Sequence, residues 1–419
     1  MNTLQGQNKI TWRPWPWNLF PDWASVVVSA VILAPAAPIM AVLIGSGEFI
    51  WAIILRLCSY TTIHLRVQSF ILDYSQVIAN KIMRDPRNMN YLPHILWLSI
   101  WGPFLFFSSL YRCMNHGFEL WFFILIQFLR IGPRFRFFTY VHVLLHKEGH
   151  DHKGFFKGSF SVLNNIVTWW IGPFYGGVPN NYCTAHNKIH HRYDNQIGDV
   201  HTNLDLDRSK LLSFFKYVPR FGMYWTGFSP LHFFHSKGDY RLFFSQLLGV
   251  AYFYGIFLCF FLWSPLFAVG YILYPQVEDV VFFGGISYLW HSFYDPKDPD
   301  NQYINSVTVL NGKDNVWNED YHVVHHTEPR THWSDYDKHF TNNTDIYRRN
   351  KATMFSDTEE GELLFLMLQG NFRRLAELFV DLDNKMTIEE KEELIRYRLS
   401  STINGNEVVL KKGEGKRSI

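Results

Sequence analysis

The sequence predicts an all-α membrane protein in which four to six transmembrane helices carry a helical cap on the cytosolic side. Three observations predict it. Several apolar runs approach the ~20 residues that a helix needs to cross a bilayer. Long polar stretches separate them, so the mean hydropathy of the chain is only -0.07. Aromatic residues are abundant, with Phe 38, Tyr 22 and Trp 15 among 419 residues, and such side chains suit membrane interfaces and apolar tunnels.

The elements follow in order. The first apolar run covers residues 23–44 and contains Pro35 and Pro38, which predict a kink. A short stretch, 49–58, runs into Arg56 and either completes a hairpin or lies along the surface. Residues 73–90 are polar and mixed. Residues 92–110 form a strong spanning candidate. Another starts near Phe118 and continues towards His142, with interruptions at Gly132 and Pro133. Residues 160–174 are apolar, but Gly172, Pro173, Gly176, Gly177 and Pro179 end them early, which predicts an interfacial or re-entrant segment. The last two spanning candidates are 242–267 and 268–288. If 160–174 does not cross, the later pair goes out and returns, and every histidine cluster reaches one face. The polar segments 181–239 and 295–419 form the cap, with helical spacing over 362–380 and a capping box at Thr387 and Glu390. Residues 407–419 look frayed. This divides the chain into an N-terminal segment (1–90) with one or two membrane helices, a catalytic core (91–345) and a cytosolic helical tail (346–419).

Net charge is +2, so nothing attracts nucleic acid in general. Cys58, Cys113, Cys183 and Cys259 are scattered, with neither a disulfide framework nor a paired-cysteine zinc motif. Residues 1–22 lack a charged-then-apolar leader, so insertion is expected to rely on the first membrane helix.

The histidines carry the chemistry. His146 and His150, then His186, His190 and His191, then His322, His325 and His326 form three clusters, and His291 ends the last apolar run. Residues three or four apart share a helix face, which predicts that His146 projects with His150, His186 with His190, and His322 with His325 and His326. Neutral imidazole ligates iron, copper, nickel and zinc. Nine imidazoles are too many for one ion, whereas two ions with four or five each would use them and leave room for oxygen. A structural zinc takes four ligands, often cysteines, so redox iron fits better.

The order and spacing of these boxes resemble the integral-membrane fatty acid desaturase and hydroxylase superfamily over about residues 92–340. The stretch Asn318-Glu319-Asp320-Tyr321-His322 through His326, followed by Pro329 and His332-Trp333, is similar to desaturase third boxes. The resemblance implies a histidine-box di-iron site, with two iron ions (Fe2+) held by His146, His150, His186, His190, His191, His291, His322, His325 and His326, and O2 as co-substrate. It implies desaturation of a fatty acyl or lipid chain drawn from the bilayer. One departure is the three residues between His186 and His190, where most acyl desaturases have two. That spacing is similar to the alkane-hydroxylase branch, so a hydroxylase or other oxygenase acting on alkanes, sterols or carotenoids is the alternative. A non-catalytic metal-binding or metal-transport membrane protein is the alternative from another class, although transporters place ligands mid-membrane. The chain has no His-Pro-Gly-Gly haem motif, which points to a separate electron donor such as cytochrome b5 or a ferredoxin.

Glu148, Asp194, Asp199, Glu319 and Asp320 flank the boxes and are candidates to accept the free N–H of a ligating histidine; the alternative is exposed charge on the cap. His142 is a weaker ligand candidate, and His152, His201, His332 and His339 are expected not to ligate. Trp290 and Phe293 flank His291 and could line a substrate tunnel. The sequon at Asn342 is expected to be unmodified on a cytosolic cap, and Lys416-Arg417 near the end resembles a dibasic retrieval signal of the endoplasmic reticulum.

Overall fold

The computed structural model describes residues 12–59 and 63–403. The frayed end and the dibasic pair lie outside them. Among the described residues, four helices are long and apolar enough to cross a membrane: Asp22–Ile54, Pro86–His116, Tyr240–Trp263 and Pro265–Trp290. The expected range of four to six spans holds.

The first span differs from the expected kinked helix and separate stretch. The helix Asp22–Val42 runs into a π-turn at Leu43–Gly47 and continues as Glu48–Ser59. Pro35 and Pro38 each remove one N–H donor, but Leu43 N–H still bonds back to the Ile39 and Met40 carbonyls. A π-turn takes in one extra residue without releasing the backbone into lipid. The polar stretch after it is also helical, Ile63–Ile82.

The helix Tyr91–His116 shows why these elements suit a bilayer. Leu96, Ile100, Phe104, Phe107 and Tyr111 form an exposed stripe three or four residues apart, while Ile95, Leu98 and Leu105 are buried on the other side. An exposed apolar stripe of this kind is what a spanning helix turns towards lipid. The next element, Leu120–Ile131, has 12 residues, about 18 Å of helix against ~30 Å of hydrocarbon. Gly132, at φ 70°, ends it, and the chain resumes as the helix Arg136–His150. Residues 160–174 form only short 3-10 and π turns, as their glycines and prolines predict.

The late pair reverses sharply. Ser264 is extended, its side chain accepts from Phe267 N–H, and Pro265 opens the next helix. Pro265–Trp290 is the most buried of the four spans. Its Tyr288 and Leu289 share one core with Tyr217 and Phe221 of the helix Leu211–Trp225 and with Leu363, Leu375 and Ile395 of the cap.

The cap adds one feature to the all-α expectation, a pair of three-residue parallel strands, Thr308–Leu310 and Met354–Ser356. Its last helix, Ile388–Ser400, begins at the expected capping box of Thr387 and Glu390. Two buried arginines tie the cap to the end of the last span. Arg208 donates to the Ser292 and Arg398 carbonyls at 2.9 and 3.0 Å, and Arg398 donates to Thr353 Oγ1 at 2.9 Å and Lys351 O at 2.7 Å. This stapling holds the segment that starts at His291.

Candidate metal centre

The eight histidines of the boxes and His291 meet at the junction of bundle and cap, in two sets. His146, His150, His186, His191 and His325 form one; His190, His291, His322 and His326 form the other. The sets abut, with the His191 and His326 rings 4.6 Å apart.

Local winding decides which imidazole joins which set. His146 and His150 sit one α-turn apart on the helix Arg136–His150 and share a set, as expected. Gly149 lets that helix close on the second box, since a Cβ there would lie 2.5 Å from Tyr182 Cβ. The second box departs from expectation. Tyr182–His190 is wound as a π-helix, with His191 N–H bonded to His186 O. A π-turn aligns residues five apart, so His186 pairs with His191 at 3.0 Å between Nε2 atoms, and His190 turns to the other set. The third box is α-helical, His322–Thr327. His322 and His326 are 3.0 Å apart in one set, while His325 stands one position round the helix and joins the other.

The protonation pattern follows from the outer nitrogens. His146 Nδ1 lies 2.8 Å from Glu319 Oε2, His190 Nδ1 lies 2.8 Å from Asp199 Oδ2, His326 Nδ1 lies 3.3 Å from Asp194 Oδ1, and His291 Nδ1 lies 3.2 Å from Asn305 O. Each outer nitrogen faces an oxygen acceptor and must carry the hydrogen. The Nε2 lone pairs of these four therefore point inwards, where Nε2 atoms crowd together: His146 to His186 at 2.9 Å, His146 to His325 at 3.0 Å, and His291 to His322 at 3.1 Å. Converging lone pairs repel unless a cation lies between them. Nitrogens bound at about 2.1 Å and at right angles around one ion would be about 3.0 Å apart, so the donor set fits a metal.

Electrostatics favour the same form. Burial first, then the neighbouring imidazoles, hold His150, His186, His191, His291, His322, His325 and His326 well below the ordinary histidine value, so they are neutral. Burial opposes ionisation of Glu319, but the adjacent Lys147 and then His146 bring its carboxyl down to about 2. Burial likewise opposes ionisation of Asp199, yet His201 and His190 hold it well below the carboxylate range.

The flanking residues divide. Glu319, Asp199 and Asp194 face ligand-set imidazoles. Glu148 turns away and accepts from Thr168 N–H at 2.7 Å. Asp320 sits beside Glu360, and burial followed by that neighbour pushes its carboxyl well above the usual carboxylate range. His201 lies against Asp199, with Nδ1 at 2.9 Å, and stacks on Tyr224. His332 lies 2.9 Å from Asn88 Oδ1 and ties the cap to the start of the second span. His152 and His339 stand outside both sets. Trp290 stacks on His322 at 4.1 Å, whereas Phe293 packs against Phe355 in the cap core.

A cavity of about 340 Å³ opens onto the imidazoles. Val143, Phe221, Trp225, Phe282 and Phe283 wall it, and Trp225 lies nearly parallel to Phe221 and Phe283. The wall also carries a group the sequence reading missed. His142 Nδ1 lies 2.8 Å from Phe138 O and its Nε2 lies 3.0 Å from Asp279 Oδ1; Trp225 Nε1 donates to Asp279 Oδ2 at 3.0 Å. Beside it, buried Arg130 pairs with Glu278. The available signal was acidic residues inside an apolar run, which are costly in a bilayer unless partnered.

Bundle, cap and buried imidazoles define a membrane protein built around a polyhistidine centre. The fatty acid desaturase family profile matches residues 119–358, which take in every box, and the chain belongs to that family. Neither a curated protein nor a solved structure matches it.

Proposed function

We propose that the protein is an O2-dependent di-iron oxidoreductase that desaturates a fatty acyl or lipid chain. The observation that carries this reading is the inward convergence of nine imidazole nitrogens in two adjoining sets beside an aromatic-walled cavity. His146, His150, His186, His191 and His325 would hold one iron, and His190, His291, His322 and His326 the other. Thiolate is absent from both sets, which disfavours a structural zinc. When bound, the irons supply the oxidant that breaks an unactivated C–H bond.

The chain's own residues do the rest. Glu319, Asp199 and Asp194 accept the Nδ1 hydrogens and keep the ring nitrogens aimed. The walls formed by Phe221, Trp225 and Phe283 exclude water and hold an alkyl chain beside the imidazoles. The overall balance is R–CH2–CH2–R + O2 + 2 e− + 2 H+ → R–CH=CH–R + 2 H2O, with electrons from a separate donor such as cytochrome b5 or a ferredoxin. We further propose residence in the endoplasmic reticulum with the cap in the cytosol. Asn342, exposed on the cap helix Tyr336–Arg349, would then be unmodified, and a glycosidase-sensitive mass shift would reverse that orientation.

The test is mass spectrometry of lipids from cells expressing the wild-type chain or His325→Ala. Species lacking two hydrogens, seen only with wild type, are the expected result. Species carrying one added oxygen would instead assign the hydroxylase reading that the His186–His190 spacing favours. No wild-type product, together with fewer than two irons per purified chain, would sink the oxidoreductase reading.

A further inference from the structure

The rim of the cavity carries charge that an apolar substrate would not need. Arg134 and Arg136 line it, and their Nη2 atoms reach the same oxygen, Asp314 Oδ1, at 2.7 and 3.1 Å. Arg136 also donates to the Asp314 carbonyl at 3.1 Å. Half of the Arg134 side chain is exposed, and Asp314 is exposed nearly as much. Other carboxylates are close: Asp320 and Glu360 line the same cavity and lie against each other beside Glu359. Glu359 spends both oxygens on backbone amides, accepting from Lys313 N–H at 2.6 Å and Asp314 N–H at 3.2 Å. Glu48, at the end of the first span, accepts the backbone N–H of Arg134. The two guanidiniums thus share one carboxylate and keep N–H donors unspent.

The backbone aims these arginines at cost. Arg134 (φ 50°, ψ 39°) and Phe135 (φ 57°, ψ 18°) are consecutive non-glycine residues in the left-handed region, where the Cβ crowds the following carbonyl oxygen. Such strain persists where surrounding contacts over-determine it, commonly at ligand clamps. Here Asp314 holds one side, and Phe135 lies nearly parallel to Phe282 at 5.7 Å on the other. Phe135 and Phe282 begin the apolar wall, so the cavity runs from guanidiniums through aromatics to imidazoles.

We propose that Arg134 and Arg136 form a head-group site for a long-chain amphiphile bearing an oxyanion, either a carboxylate or a phosphate ester, which takes the place of the Asp314 carboxylate. This deepens the acyl-chain reading and rests on it. A hydrocarbon without a head would cross the charged rim with nothing to replace the water it displaces, whereas guanidinium pairs bind carboxylate and phosphate through two parallel hydrogen bonds. Ten residues of helix separate Arg136 from His146, about 15 Å, which places the oxidised carbon well along the tail.

The experiment is equilibrium binding to the purified, iron-loaded full chain in neutral micelles, at a pH where the acid is ionised. The probes are radiolabelled palmitic acid, a lysophosphatidic acid with the same tail, and hexadecanol. Wild type is expected to bind at least one anionic probe about tenfold or more tightly than the alcohol. The double variant Arg134→Ala/Arg136→Ala is expected to lose that preference, and Arg134→Lys/Arg136→Lys to keep part of it. The anion showing the larger preference identifies the head as carboxylate or phosphate. Equal binding of all three probes by wild type, or a preference that survives the alanine pair, overturns the site. If the alanine pair does not fold, Asp314→Asn decides: removing the competing carboxylate should tighten anion binding severalfold, and unchanged or weaker binding overturns the site. Iron content and lipid products of the same preparations report separately on the oxidation reading.

Discussion

The five-imidazole set and the four-imidazole set use the same residue type on shared helices, yet they differ in depth and in how their charge is balanced. All four members of the smaller set are buried, whereas only His146 and His325 are fully buried in the larger one. The larger set has Glu319 behind His146, and Glu319 is already paired with Lys147. The smaller set has Asp199 behind His190 and Asp194 behind His326; among the described residues Asp199 pairs only with histidines. One set is therefore rich in ligands with a support shared with a lysine, and the other is leaner and backed by two carboxylates, one of which, Asp199, forms its printed ion pairs with histidines alone. Carboxylates behind ligating histidines raise ligand basicity, so the smaller set should lean harder on its supports.

The largest effects come from deleting a ligand on each side. His322→Ala leaves three imidazoles in the smaller set, and His325→Ala leaves four in the larger. Both are expected to abolish product. Metal analysis should find about one iron per chain after His322→Ala and a value between one and two after His325→Ala. Two full irons in both variants would remove the assignment of the sets. The next effects come from the supports. Asp199→Asn is expected to speed chelator extraction of one iron by roughly 10–100-fold. Glu319→Gln should speed it less but lower thermal stability by about 1–3 kcal/mol, because Lys147 is left buried without its carboxylate. Equal extraction rates from the two variants would break the distinction between the sets.

The difference between the sets also shows what could be read in advance. The nine histidines, the interrupted helix at Gly132, the non-crossing segment before the second box and the capping box at Thr387 all follow from spacing and from glycine and proline chemistry. The division of the second box does not. Helical spacing of 3.6 residues pairs His186 with His190, and only a π-turn, set by close packing of Tyr182 against Gly149, pairs His186 with His191 instead. Tertiary contact overrides local periodicity there. The continuous first span escaped for a related reason: a π-turn at Leu43–Gly47 leaves no mark in an apolar run. Asp279 and Glu278 were visible as charges, but their partners His142 and Arg130 lie far away in sequence.

Glu148 sharpens the comparison by belonging to neither side. It stands between His146 and His150, yet it turns to the backbone N–H of Thr168, and among the described residues its other oxygen, Oε1, lacks a well-formed hydrogen bond. Burial raises its carboxyl from 4.5 to about 7, against the opposing hydrogen bond from Thr168. Between these values the folded protein keeps a proton that the unfolded chain releases. Stability is then full below about pH 4.5, falls as pH rises towards 7, and levels off above it. At 1.36 kcal/mol per pKa unit, the fall is on the order of 3 kcal/mol at most. Glu148→Gln mimics the protonated acid, so its melting temperature should lose this component of the decline over that window while iron content stays at the wild-type value. A wild-type melting profile that rises from pH 5 to 7, with Gln following the same curve, would show that the carboxyl ionises normally. Loss of iron in the Gln variant would instead place Glu148 with Glu319 among the supports of the larger set.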